Sequence, residues 1–210
     1  MGAKQQTMSL MLALAALAFL PGCWTYSLHS LYRDEDPRLA YDPTLTGTWK
    51  NGNSDCQNCQ LVIAGDSQTQ QYTLQLFDKD EIKCHCAFND SAGIRYAGNL
   101  GQLGTARFLD VVPGGDAAGM GAIPAHSIFK IVVEDDSLFL VPLSDSWLCS
   151  APEAEPYGLG ECIDRSDFVL TASSDVLQDF VQNHADDDGA FPTLDGDAAF
   201  HRAGRSGGTP

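Results

Sequence analysis

The feature that most constrains this chain is a succession of short apolar runs, each alternating with polar residues and bounded by turn-forming ones. Over residues 71–77, Tyr72, Leu74 and Leu76 alternate with Thr73 and Gln75. A period of two puts one face of a strand into a core and the other into water. Comparable runs occupy 47–50, 60–64, 82–88, 94–97, 105–112, 127–134 and 138–143, and Asp135-Asp136-Ser137 reads as the hairpin turn between the last two. A further run at 168–171 leads into Val176, Leu177, Phe180 and Val181, whose spacing is helical. Ser173 or Ser174 is placed to cap that helix, and Asp175 falls in its positive first turn. The pattern predicts a mainly β chain, an antiparallel barrel or sandwich of about eight strands, with one C-terminal helix over 174–184.

Charge narrows the partners. Twelve Lys+Arg stand against 28 Asp+Glu in 210 residues, a net charge of −16. A chain so acidic, with no basic cluster, is repelled by a phosphate backbone, which excludes nucleic acid. The 44 % hydrophobic content suffices for a core, so a wholly disordered chain is excluded too.

At the N-terminus, Lys4 precedes an unbroken run of Leu, Met, Ala and Phe over 10–20. This is the layout of a secretory signal peptide. As a helix the run rises about 16 Å, roughly half the hydrocarbon thickness, too short for a spanning anchor. Leu20-Pro21-Gly22-Cys23 then resembles the lipobox of bacterial lipoproteins, in which the cysteine thiol is lipidated and becomes the new N-terminus. The competing reading is cleavage after Ala16-Leu17-Ala18, leaving Cys23 as a free thiol. With Cys23 lipidated, the chain divides into a signal peptide (1–22), a lipidated tether (23–44) resting partly on the domain through Leu28, Tyr32 and Tyr41, a β domain with its helix (45–184), and a flexible acidic, glycine-rich tail (185–210). Several acyl chains on one cysteine anchor stably, so the expected partner is a membrane. Trp24 rather than Asp after the cysteine fits the outer membrane of a bacterial cell envelope, facing the periplasm or the surface.

Assigning Cys23 to lipid leaves Cys56, Cys59, Cys84, Cys86, Cys149 and Cys162, an even set for an oxidising compartment. Cys149 and Cys162 flank a loop bearing Pro152, Pro156, Gly158 and Gly160, where a bridge would pin about a dozen residues. The C-x-x-C at 56–59 and the C-x-C at 84–86 admit three readings: two disulfides, a zinc site of four thiolates, or a redox pair at Cys56 and Cys59. In 82–88, alternation puts Ile82, Cys84, Cys86 and Phe88 on one face and His85 on the other, which suits disulfides.

Gly47-Thr48-Trp49 resembles the Gly-x-Trp that opens the lipocalins, whose single helix also follows the eighth strand. A wider likeness runs through Ser27-Leu28-His29-Ser30-Leu31-Tyr32, Asp42-Pro43-Thr44-Leu45-Thr46-Gly47-Thr48-Trp49, Phe108-Leu109-Asp110-Val111-Val112-Pro113, His126, Trp147-Leu148, and Leu170-Thr171-Ala172-Ser173 with Leu177-Gln178 and Phe180. These segments are similar to a set of uncharacterised bacterial lipoproteins. The likeness implies a lipoprotein with a lipocalin-like β domain and carries no activity.

Candidate chemistry is sparse. Nothing matches a nucleophile elbow, and His126 reads as a strand-edge residue on the same face as Ile128 and Lys130. The acids at 186–188 and at Asp195 and Asp197 miss the register of a calcium loop. The expectation is a lipid-anchored binding or structural module, not a catalyst, without a cofactor. An eight-stranded barrel is just wide enough to be filled by side chains or to hold one small ligand. A small apolar ligand would be lined by Trp49, Tyr72, Leu74, Leu76, Phe129 and Ile131.

Overall fold

A computed structural model describes residues 25–52, 59–77, 94–114, 125–164, 167–194 and 198–203. Eleven strands run in chain order: β1 (Tyr26–Ser27), β2 (Gly47–Asn51), β3 (Gln60–Asp66), β4 (Gln71–Phe77), β5 (Ile94–Leu103), β6 (Ala106–Pro113), β7 (Ser127–Glu134), β8 (Ser137–Pro142), β9 (Gly160–Asp164), β10 (Asp167–Leu170) and β11 (Phe200–Arg202). Two α-helices, α1 (Asp145–Leu148) and α2 (Ser174–Asn183), and two 3₁₀ turns, Pro43–Leu45 and Pro152–Tyr157, complete the described elements. Strands β11-β2-β3-β4-β5-β6-β7-β8 close into a barrel in that order, every pair antiparallel. Closure removes the unpaired edges that an open sheet would expose.

The barrel expectation holds, but its last stave comes from elsewhere. The run at 82–88 lies outside the described residues, and the strand that closes the ring is β11, pairing with both β2 and β8. That strand falls in the stretch read from sequence as a flexible tail. The reading is corrected: Ala185, Ala190, Phe191 and Ala199 are buried. Three residues are too short to display a period, so only long-range pairing reveals such a strand. The tether packs on the domain through Tyr32 and Tyr41 as expected but not through Leu28, which is exposed; Leu31 is a core residue too, and a backbone bridge from Leu39 to Gly101 continues the ladder of β5 beyond the end of β4.

Two apolar layers follow from the alternation. Inward residues Trp49, Leu61, Ile63, Tyr72, Leu74, Leu100, Leu109, Val111, Phe129, Ile131 and Leu138 fill the ring. On β6, β7 and β8 the other face is also apolar: Phe108, Ile128 and Val141 join Leu177, Phe180 and Val181 of α2 in a second cluster. Strands buried on both faces explain why these runs read as nearly continuous. Helix α2 spans almost the predicted residues, with Ser173 at its N-cap. The cap differs from expectation, because Ser173 makes no side-chain cap bond and the Ser174 hydroxyl donates instead to Ser30 O at 2.6 Å. Outward Lys130 donates to Ala185 O at 2.5 Å, beside the helix C-terminus, where a cation is favourable.

Beside the barrel, β1, β10 and β9 form a small sheet, β1 parallel and β9 antiparallel to β10. The Cys149–Cys162 disulfide ties β9 to the end of α1.

Candidate functional site

All six residues read as possible ligand lining share the barrel interior: Trp49, Tyr72, Leu74, Phe129 and Ile131 are buried in one cluster, and Leu76 is packed against it. Their environment differs along the axis. The tight turns β3–β4, β5–β6 and β7–β8 gather at one end, together with the 3₁₀ turn at Pro43–Leu45. That end is sealed by an arginine. Arg202 of β11 lies 4.2 Å over the Trp49 ring, and its guanidinium donates to Thr46 O at 3.1 Å and to Thr44 O. Trp49 Nε1 donates to Leu45 O at 2.9 Å, so ring, cation and 3₁₀ turn are mutually bound. Gly47 is needed here: its φ is +134°, and a Cβ would meet Arg202 Nη1 at 3.0 Å.

A second latch sits at the same end. Arg107 donates to Asp42 Oδ2 at 2.5 Å, and the Asp42 carboxylate also accepts from Thr44 N at 2.8 Å. Partial burial pushes the Asp42 pKa up, but the Thr44 and Arg107 hydrogen bonds and the Arg107 charge outweigh it and hold the carboxyl below the usual range. The buried Tyr72 hydroxyl donates to Asp42 O and accepts from Asp42 N at 2.6 Å, and burial is the leading cause of its raised pKa. Around Gly98 the interior is closely packed. A Cβ at Gly98 would stand 2.8 Å from Leu74 Cδ1 and 3.4 Å from Leu109 Cδ1. Toward the opposite end the inward side chains include Leu61 and Leu76, which pair across β3 and β4, and, directly across from Leu74, Tyr96, whose hydroxyl burial drives upward in pKa.

Four segments of the lipoprotein likeness, those holding Asp110, His126, Leu170 and Gln178, converge outside the barrel on residues 25–32. Asp110, buried on β6, accepts from Leu31 N at 2.8 Å through Oδ2 and from His126 Nδ1 at 2.9 Å through Oδ1. Backbone bonds of 2.8 Å run both ways between Ser27 and His126. Gln178 of α2 donates to Leu31 O at 2.8 Å, and Tyr32 donates to Phe108 O at 3.2 Å. Burial first, then the nearby Asp110 and Asp36 charges, raise the Tyr32 hydroxyl pKa. An Asp–His pair suggests acid–base work, yet the Ser27 hydroxyl is spent on His29, donating to its carbonyl at 2.6 Å. The arrangement is a clamp on a chain segment. Sequence reading placed His126 on the correct face and missed Asp110, Gln178, Arg107 and Arg202. A charge within the otherwise apolar Phe108-Leu109-Asp110-Val111-Val112 was the available signal, because a carboxylate in a doubly buried strand must be paired.

Of the cysteines, Cys149 and Cys162 are bridged, Cα to Cα 5.5 Å. Cys59 is buried and disulfide-bonded, while Cys23, Cys56, Cys84 and Cys86 lie outside the described residues. Among the described residues, no group of three or more His, Cys, Asp or Glu side chains is placed to hold a metal ion. Acid residues of the expected tail are locally engaged, Asp187 accepting from Gly189 N at 2.8 Å and Asp188 from Thr193 Oγ1 at 3.0 Å. No family model, curated protein or solved structure matches the chain.

Proposed function

We propose that this chain is a lipid-anchored lipoprotein of the bacterial cell envelope, held by acyl groups on Cys23, whose lipocalin-like barrel is a binding or structural module and not a catalyst. The observation that supports it best is the closed barrel with an apolar interior sealed at one end by Trp49, Arg202 and the 3₁₀ turn. With side chains packed around Gly98, a small apolar ligand entering from the end opposite the 3₁₀ turn would meet Leu76 and Tyr96 first. The sealed end then serves as the rigid base of the module. The clamp on residues 25–32 gives an anchor at Cys23 mechanical sense, because the chain joining the two is short and its far side is fixed to barrel and helix.

Intact mass of the membrane-extracted protein, before and after reduction and alkylation, tests this reading. A mass of residues 23–210 plus acyl groups, with alkylation only after reduction, is the expected result. Four thiols alkylating only after chelation would replace it with a zinc-binding lipoprotein using Cys56, Cys59, Cys84 and Cys86. Disulfide exchange abolished by Cys56→Ser would instead indicate a thiol oxidoreductase.

A further inference from the structure

Among the described residues three large apolar side chains are exposed: Tyr26 at 46 %, Leu28 at 42 % and Ile163 at 72 %. All three belong to the small β1–β10–β9 sheet and the residue that follows its first strand. Tyr26 and Leu28 share one face, and Ile163 protrudes at a bulge of the edge strand β9. Ser27 pairs with Leu170 and Leu170 with Gly160, and Phe168 pairs with Cys162; Ser27, Leu170 and Phe168 are buried, so this is the inward set. Tyr26 pairs with Val169 and Val169 with Glu161, the outward set, which alternation extends to Leu28, while Ile163 is the extra residue of a bulge where the β9–β10 register shifts. Single exposed apolar residues need no explanation, but a cluster on one sheet face marks a contact surface.

We propose that this outward face, carrying Tyr26 and Leu28 with Ile163 at its bulged edge, lies on the surface of the bilayer that holds the Cys23 anchor. The inference rests on the lipidation of Cys23 proposed above and adds an orientation to it. Thr25 is two residues beyond Cys23, so the acyl-bearing residue lies within about 7 Å of it along the chain. That reach leaves little slack. The strand cannot swing away from the domain either: Ser27 and His126 exchange backbone bonds, Leu28 N donates to Leu170 O at 2.9 Å, and Thr25 Oγ1 donates to Leu143 O at 2.7 Å. An anchor so close to a fixed strand brings that strand's exposed side to the membrane.

Charge favours the same mode of contact. With 28 Asp+Glu against 12 Lys+Arg in the sequence, the protein gains nothing from anionic headgroups, so apolar side chains are what it can offer the interface. Tyr26 suits the headgroup level. Glu161 shares the face, which fits a domain lying at headgroup depth rather than inserting into hydrocarbon.

Hydroxyl-radical footprinting of the acylated full-length protein in phosphatidylcholine vesicles tests the orientation. The reference is the same mature chain carrying Cys23→Ser, exported behind a signal without a lipobox. Labelling of Tyr26, Leu28 and Ile163 is expected to fall about fivefold or more in the vesicles, while Tyr41, at the sealed barrel end, is unchanged. Ile163→Asp, at a site too exposed to affect folding, is expected to restore labelling of Leu28 in the acylated protein. If intact mass confirms acylation but labelling is equal in both forms, the orientation is wrong and the anchor stands. A mass without acyl groups overturns the anchor and the orientation with it. Protection that appears in the Cys23→Ser chain as its concentration rises would assign the face to a second copy and overturn the membrane contact.

Discussion

Gly101→Ala is the sharpest probe of how the N-terminal segment is joined to the barrel. Gly101 lies on β5 opposite Phe108, and the Tyr32 ring rests flat against it. A Cβ there would stand 2.7 Å from the Tyr32 hydroxyl and nearer still to two ring carbons, far inside ordinary contact. Two responses are open. The strand and ring can shift slightly, at the ~1–3 kcal/mol typical of overpacking. Alternatively Tyr32 leaves, forfeiting roughly 2–3 kcal/mol of burial and about 1 kcal/mol for its bond to Phe108 O. The cheaper route sets the result, so a loss of about 2–3 kcal/mol is expected, a fall in Tm of roughly 5–10 °C for a domain of this size. Tyr32→Ala alone should cost about 3–5 kcal/mol. In that background Gly101→Ala meets empty space and should cost less than about 0.5 kcal/mol. Urea unfolding of the four acyl-free proteins closes the cycle. An equal cost for Gly101→Ala with and without Tyr32 would refute the account, because the penalty would then belong to the strand and not to the docked ring.

The remaining predictions concern the latches. Arg202→Met removes the cation over Trp49 and two donors to the 3₁₀ turn, and should lower stability by about 2–3 kcal/mol in thermal melts; Arg202→Lys should rescue little, since it lacks the fork. Asp110→Ala leaves Leu31 N buried without its acceptor, at about 2–3 kcal/mol, and should speed hydrogen exchange at Leu31 and Tyr32 before the barrel amides. The folded-state pKa of Asp42 is depressed, so its contribution is full above the unfolded value near about pH 4 and is lost as pH falls through the lower folded value; Asp42→Asn should flatten that acid limb of the stability curve. Removing the Cys149–Cys162 bridge by a double Ser substitution frees a loop with sequence separation 13 and should cost about 3 kcal/mol in denaturant unfolding.

What the sequence made legible was what repeats locally. The alternation of Tyr72, Leu74 and Leu76 marked both the strand and its inward face, and Asp135-Asp136 marked the turn that reverses β7 into β8, with Asp135 at φ 52°. The apolar positions 176, 177, 180 and 181 marked α2, since a helix that buries one side must repeat at that spacing. Even the cysteines flanking the loop at 151–160 announced their bridge, because a loop with such turn residues brings its ends together.

What stayed hidden depends on partners far apart in the chain. Nothing within Phe200-His201-Arg202 says strand; Asn51 and Leu138, which pair with Phe200, decide it. The same applies to the clamp. Asp110 looks like an error in an apolar strand until Leu31 N, 79 residues earlier, and His126 are brought to its two oxygens. Read together, these long-range bonds give the stretches taken as tether and tail a common purpose. One carries β1 onto the outer face of the barrel, and the other supplies both the closing strand and the arginine that seals the base. The ring closes only through β11, and the segment that follows β1 is held in part by α2, whose Gln178 donates to Leu31 O. These two flanking stretches, which composition makes look expendable, are therefore the pieces that convert a row of hairpins into a closed module.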